Sequence, residues 1–176
     1  QINKNTSYVN KNWNNYRAEF SLTYDDEYLY FAYEADDNKL VGNQTGANIW
    51  KDDCIEVWFD WKNKKKIKAE GYYQVGLAPL TKSGKAGAFV WRALKPEKTR
   101  KGIELASVET HSGWIVEAKM KLDKFDGAQP LPEKPVGFNV SVANKDKTGG
   151  TWNHINWCSK EAAQKADYWY QINFKN

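Results

Sequence analysis

Apolar and polar residues alternate with a period of two along most of the chain. In "EYLYFAYEADD", Tyr28, Tyr30 and Ala32 fall on one face, and Leu29, Phe31 and Tyr33 on the other. In "CIEVWFDW", Ile55, Val57 and Phe59 oppose Cys54, Glu56, Trp58 and Asp60. Alternation of this kind marks strands whose two faces meet different surroundings. The same reading covers "AEFSLTYDD", "GYYQVGLAP", "AFVWRALK", "IELASVET", "GWIVEAKMKL", "GFNVSVANKD", "TWNHINWCS" and "YWYQINF". That makes roughly ten strand candidates, separated by turn clusters such as "ADDNK", "KNKKK", "KSGKAG", "HSG" and "KTGG". Many short strands with turns between them predict an antiparallel β-sandwich of jelly-roll type, a single domain over residues 1–176. Helical signals are scarce. "SKEAAQKADYW" suits about two turns, and "KLDKFDGAQPLPEKPVG" reads as a loop with one helical turn.

Composition adds one strong feature. Of 176 residues, nine are Trp, ten Tyr and seven Phe, or 15% aromatic. Trp and Tyr are large, rigid and partly polar, and they recur where a surface must grip a ligand at low entropic cost. Net charge is +4. Much of it comes from "KNKKKIKAE", with five lysines between Lys62 and Glu70. No arginine-rich or RNA-binding signature accompanies the run, so it reads as a solvated hairpin loop and nucleic acid is not the expected partner. No stretch approaches the roughly 18 apolar residues of a membrane span. No signal peptide is visible, and the opening "QINKNTSYVN" looks like a processed or excised start.

The segment "NIWKDDCIEVWFD", Asn48 to Asp60, concentrates two tryptophans, three aspartates and a glutamate. With the aliphatic face of its strand in the core, Glu56 and Trp58 look outward, and Trp50 stands at the strand's entry. An exposed indole beside a fixed carboxylate suits a sugar. The C–H face of a pyranose stacks on the ring, and the carboxylate accepts charge-assisted bonds from hydroxyls. The competing reading is that Trp50 and Trp58 fill space, as tryptophan is highly buried on average.

Catalysis finds no positive sign. No spacing singles out one pair among 22 acidic residues. His111 and His154 lie in no ligand-spaced motif. There is no nucleophile elbow, cysteine-protease signature or phosphate loop. Met120, the one methionine and so a candidate haem ligand, is expected in the core. Cys54 and Cys158 are too few for a disulfide framework and leave open one bridge or two buried thiols.

Taken in order, "YDDEYLYFAYEADD", "IWKDDCIEVWFD", "YYQVGLAP", "GWIVEAKMKL" and "GFNVSVANKDKTGGTWNHINW" resemble the family 9 carbohydrate-binding modules and their relatives with the same sandwich. The likeness runs from about Phe20 to Trp157, and the Trp50, Asp53, Glu56, Asp60 spacing is its most specific part. The resemblance implies a non-catalytic module, usually attached to a secreted plant-polysaccharide hydrolase, that clamps a cellulose- or xylan-type sugar between two tryptophans. Carried over, Trp50 is the first half of the clamp, Glu56 the hydroxyl acceptor, and Trp157 the second half, with Trp152 as its rival. Gln74 and Asn144 are polar contacts; Trp91 and Arg92 are additions without a firm alignment, and Trp13 has no place. The resemblance also implies structural calcium. A hard cation takes several carboxylate, amide and carbonyl oxygens, and Asp36, Asp37 and Asp60 are the candidate ligands. The expected partner is a carbohydrate, not a membrane, and the expected setting is extracellular, within a larger multidomain protein. A haem-binding sandwich and a protein adhesion module are the alternatives.

Overall fold

The computed structural model describes residues 7–8, 17–67, 69–128, 134–146, 152–158, 166 and 169–174. Among the described residues there are eleven strands: β1 (Ser7–Tyr8), β2 (Arg17–Tyr24), β3 (Tyr28–Asp36), β4 (Cys54–Asp60), β5 (Tyr72–Ala78), β6 (Gly87–Arg92), β7 (Ile103–Glu109), β8 (Gly113–Lys121), β9 (Val136–Lys145), β10 (Trp152–Asn156) and β11 (Tyr170–Ile172). A short helix, α1 (Pro96–Arg100), follows β6 with a proline at its start, where a missing N–H costs nothing. The alternation thus locates ten of these strands, and the single helical turn expected after Lys121 is the 3-10 turn Leu122–Lys124. The opening segment with Trp13 and most of "SKEAAQKADYW" lie outside the described residues.

All pairings are antiparallel, in two sheets. The five-stranded sheet runs β1-β2-β3-β8-β7, and the six-stranded sheet runs β10-β9-β4-β5-β6, with β11 also on β9. The partnerships β3–β8 and β4–β9 join strands distant in sequence, and their spans interleave, so the chain passes back and forth between the two sheets. Between the sheets lies the main core, where Phe31, Ile55, Val57, Phe59, Val75, Phe138, Val140 and Met120 interlock. Met120 is fully buried there, as expected of a space-filling methionine. The lysine-rich segment connects β4 to β5 and pairs Lys62 with Glu70.

One expectation is corrected. Glu56, Trp58 and Asp60 do face away from the core, yet they are only 5%, 1% and 1% exposed. Two caps cover the outer face of the six-stranded sheet. At one end the 3-10 turn Gly46–Lys51 seats Ile49 against Cys54, Ala78 and Ala143. At the other, Ala166 and Trp169 close over Trp58 and Tyr72. A central strand flanked by β5 and β9 is therefore buried on both faces, so alternation reports its side but not its exposure.

Candidate functional site

Between the two caps, the outer face of the six-stranded sheet carries a compact polar row. The register sets Glu56 opposite Gly76 on β5 and Ser141 on β9, and Trp58 opposite Gln74. Gln74 Nε2 donates to Glu56 Oε2 at 2.8 Å. Arg92 stands opposite Gln74 on β6, its guanidinium donating to the Tyr72 hydroxyl at 3.4 Å and lying 5.9 Å from the Trp58 ring. Burial pushes the Glu56 carboxyl above its ordinary value, and the Gln74 bond and the Arg92 charge pull it back. The result is an oriented carboxylate with an amide and a guanidinium alongside. Gln74 and Arg92 are half-buried, so the row reaches the surface through them.

Arg92 reaches this face through an irregularity. The β5–β6 register shifts between Gln74 and Val75, leaving Trp91 as the extra residue of a bulge. Its indole lies over Gly76 and donates to the Ala47 carbonyl at 3.0 Å, fastening the 3-10 turn to the sheet. Gly76 is needed for this close approach, because a Cβ there would overlap the Trp91 ring. Gly76→Ala should lift Trp91 and release the turn, costing about 1–3 kcal/mol in overpacking and weakening ligand binding. Urea denaturation with a parallel titration measures both.

Trp50 is part of that turn, half-buried, with the Lys51 ammonium 5.7 Å from its ring centroid. Trp50, Glu56 and Gln74 are thus on the same side of the sheet. Trp157 is not. Its backbone N–H donates to Val140, and its ring packs edge-on to Phe20 at 5.2 Å and Phe138 at 5.9 Å, against the main core. The structure does not bring Trp50 and Trp157 together. Asn144 is likewise set apart. Ala143 packs on the outer face with Cys54, so Asn144 shares the inner side with Val142 and Val140, 7% exposed. Trp152 is opposite Lys145 in the β9–β10 register, and Lys145 Nζ bonds the Lys51 carbonyl at 2.9 Å, next to Trp50. Of the two late tryptophans, it is Trp152 whose backbone runs at the Trp50 end of the sheet.

The candidate calcium ligands do not form one set. Asp36 and Asp37 end β3, where Asp36 accepts from Ser112 and Asp37 from Lys39 N–H and Trp114 Nε1. Asp37 lies near Asp53, at the start of β4. Asp60 ends β4, about 20 Å away along a seven-residue strand, and accepts from Lys65 N–H. Among the described residues, no three His, Cys, Asp or Glu side chains converge on a metal-sized position. These three aspartates therefore do not fit a single ion.

Both cysteines are free. Cys54 is opposite Ala143, whereas the Cys158 N–H donates to the Asn139 side chain. Four residues of β9 separate those points, about 13 Å, beyond the roughly 7 Å that a bridge tolerates between Cα atoms. No described helix is long and apolar enough to cross a membrane.

Comparison with known proteins agrees with this architecture. A xylanase, endo-1,4-beta-xylanase A of Thermotoga maritima, is 26% identical over 143 residues, 81% of this chain but 12% of that protein. Endo-1,4-beta-xylanase A of Thermoanaerobacterium saccharolyticum is 26% identical over 144 residues, 80% of this chain and 11% of that protein. The chain therefore spans only about an eighth of the length of these relatives. Among solved structures, a family 9 carbohydrate-binding module from Caldicellulosiruptor kristjanssonii in complex with cellotriose superposes with a TM-score of 0.77, covering 99% of this chain and 83% of that one at 17% identity. The same kind of module from that organism in complex with glucose gives 0.75 at 18% identity. At such identity these structures speak for the fold. The family described as "Carbohydrate family 9 binding domain-like" matches residues 1–174. With its paired antiparallel sheets and near-complete match, the chain belongs to the family 9 carbohydrate-binding domains.

Proposed function

We propose that this domain is a non-catalytic module that binds an uncharged sugar of the cellulose or xylan type on the outer face of its six-stranded sheet. The observation that carries the reading is the Glu56–Gln74–Arg92 row beside the turn that holds Trp50. Trp50 supplies a stacking face for pyranose C–H groups. Glu56 accepts from sugar hydroxyls, and Gln74 and Arg92 fix its orientation and donate. Arginine carries five donors in a rigid fork, so the bond to Tyr72 leaves others for a ligand. The relatives that contain such a segment are named as xylanases and an exoglucanase. That supports a role as a tethering part of a larger secreted enzyme acting on plant cell-wall polysaccharide.

The test is titration calorimetry with glucose, cellobiose, xylobiose and a soluble polysaccharide, with and without calcium. Trp50→Ala and Glu56→Gln should each weaken binding by about tenfold to a hundredfold, the worth of one charge-assisted contact or stacked ring, with the melting curve little changed. Trp152→Ala and Trp157→Ala separate the two late tryptophans. Loss of binding belongs to the first, and loss of stability to the second. Unchanged binding in Trp50→Ala and Glu56→Gln sinks the site assignment. Silence of the parent protein across the panel sinks the carbohydrate reading.

A further inference from the structure

The opposite side of the molecule, the outer face of the five-stranded sheet, carries a second concave surface of about 670 Å³. That volume lies within the roughly 300–1,000 Å³ of ligand pockets. Its shape follows from one register row. Ser21, Ala32, Glu117 and Ala106 stand side by side across β2, β3, β8 and β7. Three of the four are small, so the row forms a trough about 14 Å long, three strand spacings. The next row, Thr23, Tyr30, Lys119 and Glu104, is bulkier and forms a wall.

That wall is held in place. The Tyr30 hydroxyl donates to Asp25 Oδ2 at 2.8 Å, and Asp25 Oδ1 accepts the Glu27 and Tyr28 amides. The Lys119 ammonium lies 4.0 Å from the Tyr28 ring centroid and 3.8 Å from Glu104. Orientation is therefore fixed before any ligand arrives, which lowers the entropic cost of binding. Glu117 rises from the floor between two alanines, exposed.

We infer that this trough is a second carbohydrate site, taking an internal stretch of a neutral, unbranched polysaccharide. The trough offers apolar contact from Tyr30, Ala32 and Ala106, an acceptor at Glu117 and a donor at Lys119. A polyhydroxylated chain, with C–H faces and a hydroxyl rim, answers all three. Two carboxylates against one ammonium disfavour a polyanion. A slot a few side chains wide offers far less than the roughly 800 Å² per partner that a stable protein contact buries. This site shares no residue with the Glu56 row and does not depend on it. With sites on both faces, one module could hold two chains, or one chain at two points with raised avidity.

The experiment is amide chemical-shift mapping of the parent protein and the Trp50→Ala, Tyr30→Ala and Glu117→Lys variants, with glucose, cellohexaose, xylohexaose and mannohexaose. A hexasaccharide should shift the Ser21, Ala32, Ala106 and Glu117 amides in the parent and in Trp50→Ala, and glucose should not. Tyr30→Ala and Glu117→Lys should weaken that response at least tenfold while sparing shifts around Glu56 and Gln74. Trough amides that stay unmoved by all three hexasaccharides overturn the proposal, even if glucose moves the Glu56 set. Trough amides that move while the Glu56 set stays still uphold it and count against the first site instead. A response confined to an added protein partner overturns it as well.

Discussion

Trp58→Ala should lower stability by about 3–5 kcal/mol, the usual range for deleting a buried tryptophan. The indole is 1% exposed and meets Trp169 at 5.7 Å and Tyr72 at 6.5 Å between ring centroids. It also donates to the Ser141 hydroxyl at 3.3 Å and lies beneath the Arg92 guanidinium. Truncation opens a cavity under the second cap, removes a hydrogen bond from a buried hydroxyl and leaves Arg92 without its support. Binding should therefore weaken along with stability. Trp58→Phe keeps most of the packing and loses the hydrogen bond, so about 1–2 kcal/mol is expected there. Urea denaturation of both variants, followed by sugar titration well below the midpoint, separates the two effects. A loss under about 1 kcal/mol for Trp58→Ala would show that the cap contributes little.

Stability should fall as pH rises from about 4 to about 8, because of Asp53. This carboxyl is fully buried, and burial pushes it from its ordinary 3.8 up to about 8, with the nearby charges of Asp37 and Asp52 adding to the rise. Within that window the folded state keeps a proton that the unfolded chain has released. The contribution is complete below about pH 4 and is lost as pH climbs through about 8, with a slope of at most about 1.4 kcal/mol per pH unit. Burial raises the Asp37 carboxyl too, which adds a contribution of the same sign. Asp53→Asn removes the Asp53 part of this dependence and leaves the smaller Asp37 part. Asp53 accepts the Val41 amide at one oxygen and the Lys145 amide at the other, and an Asn amide cannot accept at both. The variant should be about 1–3 kcal/mol less stable than the parent at pH 5; the parent loses stability as pH rises, so the gap should close near neutral pH and be reversed by pH 9. Denaturation midpoints of both proteins across that range decide it. Parallel curves would mean that Asp53 keeps its proton, or loses it, throughout.

The strands were legible because a sandwich writes its two environments into a period of two. What the period does not state is whether the outer side meets water, and β4 is the case in point. The Gly46–Lys51 turn and the side chains of Ala166 and Trp169 that cover it pack through tertiary contacts that no local pattern announces. The site residues divide along the same line. Trp50 and Glu56 are singled out by the aromatic and acidic concentration, Gln74 by the family resemblance alone, and all three lie on the outer side. Trp157 and Asn144 have the opposite parity: Trp157 is two places from Ile155, and Asn144 two from Val142, whose side chain packs in the main core. Counting alternation back from those aliphatic residues would have placed both on the inner side. Arg92, a candidate without a firm alignment, could not be assigned a face by alternation, since the bulge at Trp91 breaks the count.

Because β4 is packed on both faces, the strand that carries Glu56 is poor ground for altering ligand preference. Each of its seven positions is buried, so a library placed there would mostly sample unfolded proteins. β6 and the 3-10 turn frame the proposed site with half-buried residues, Trp50, Trp91 and Arg92 among them. Directed evolution toward a new sugar should therefore collect its changes at that rim and leave the central strand untouched.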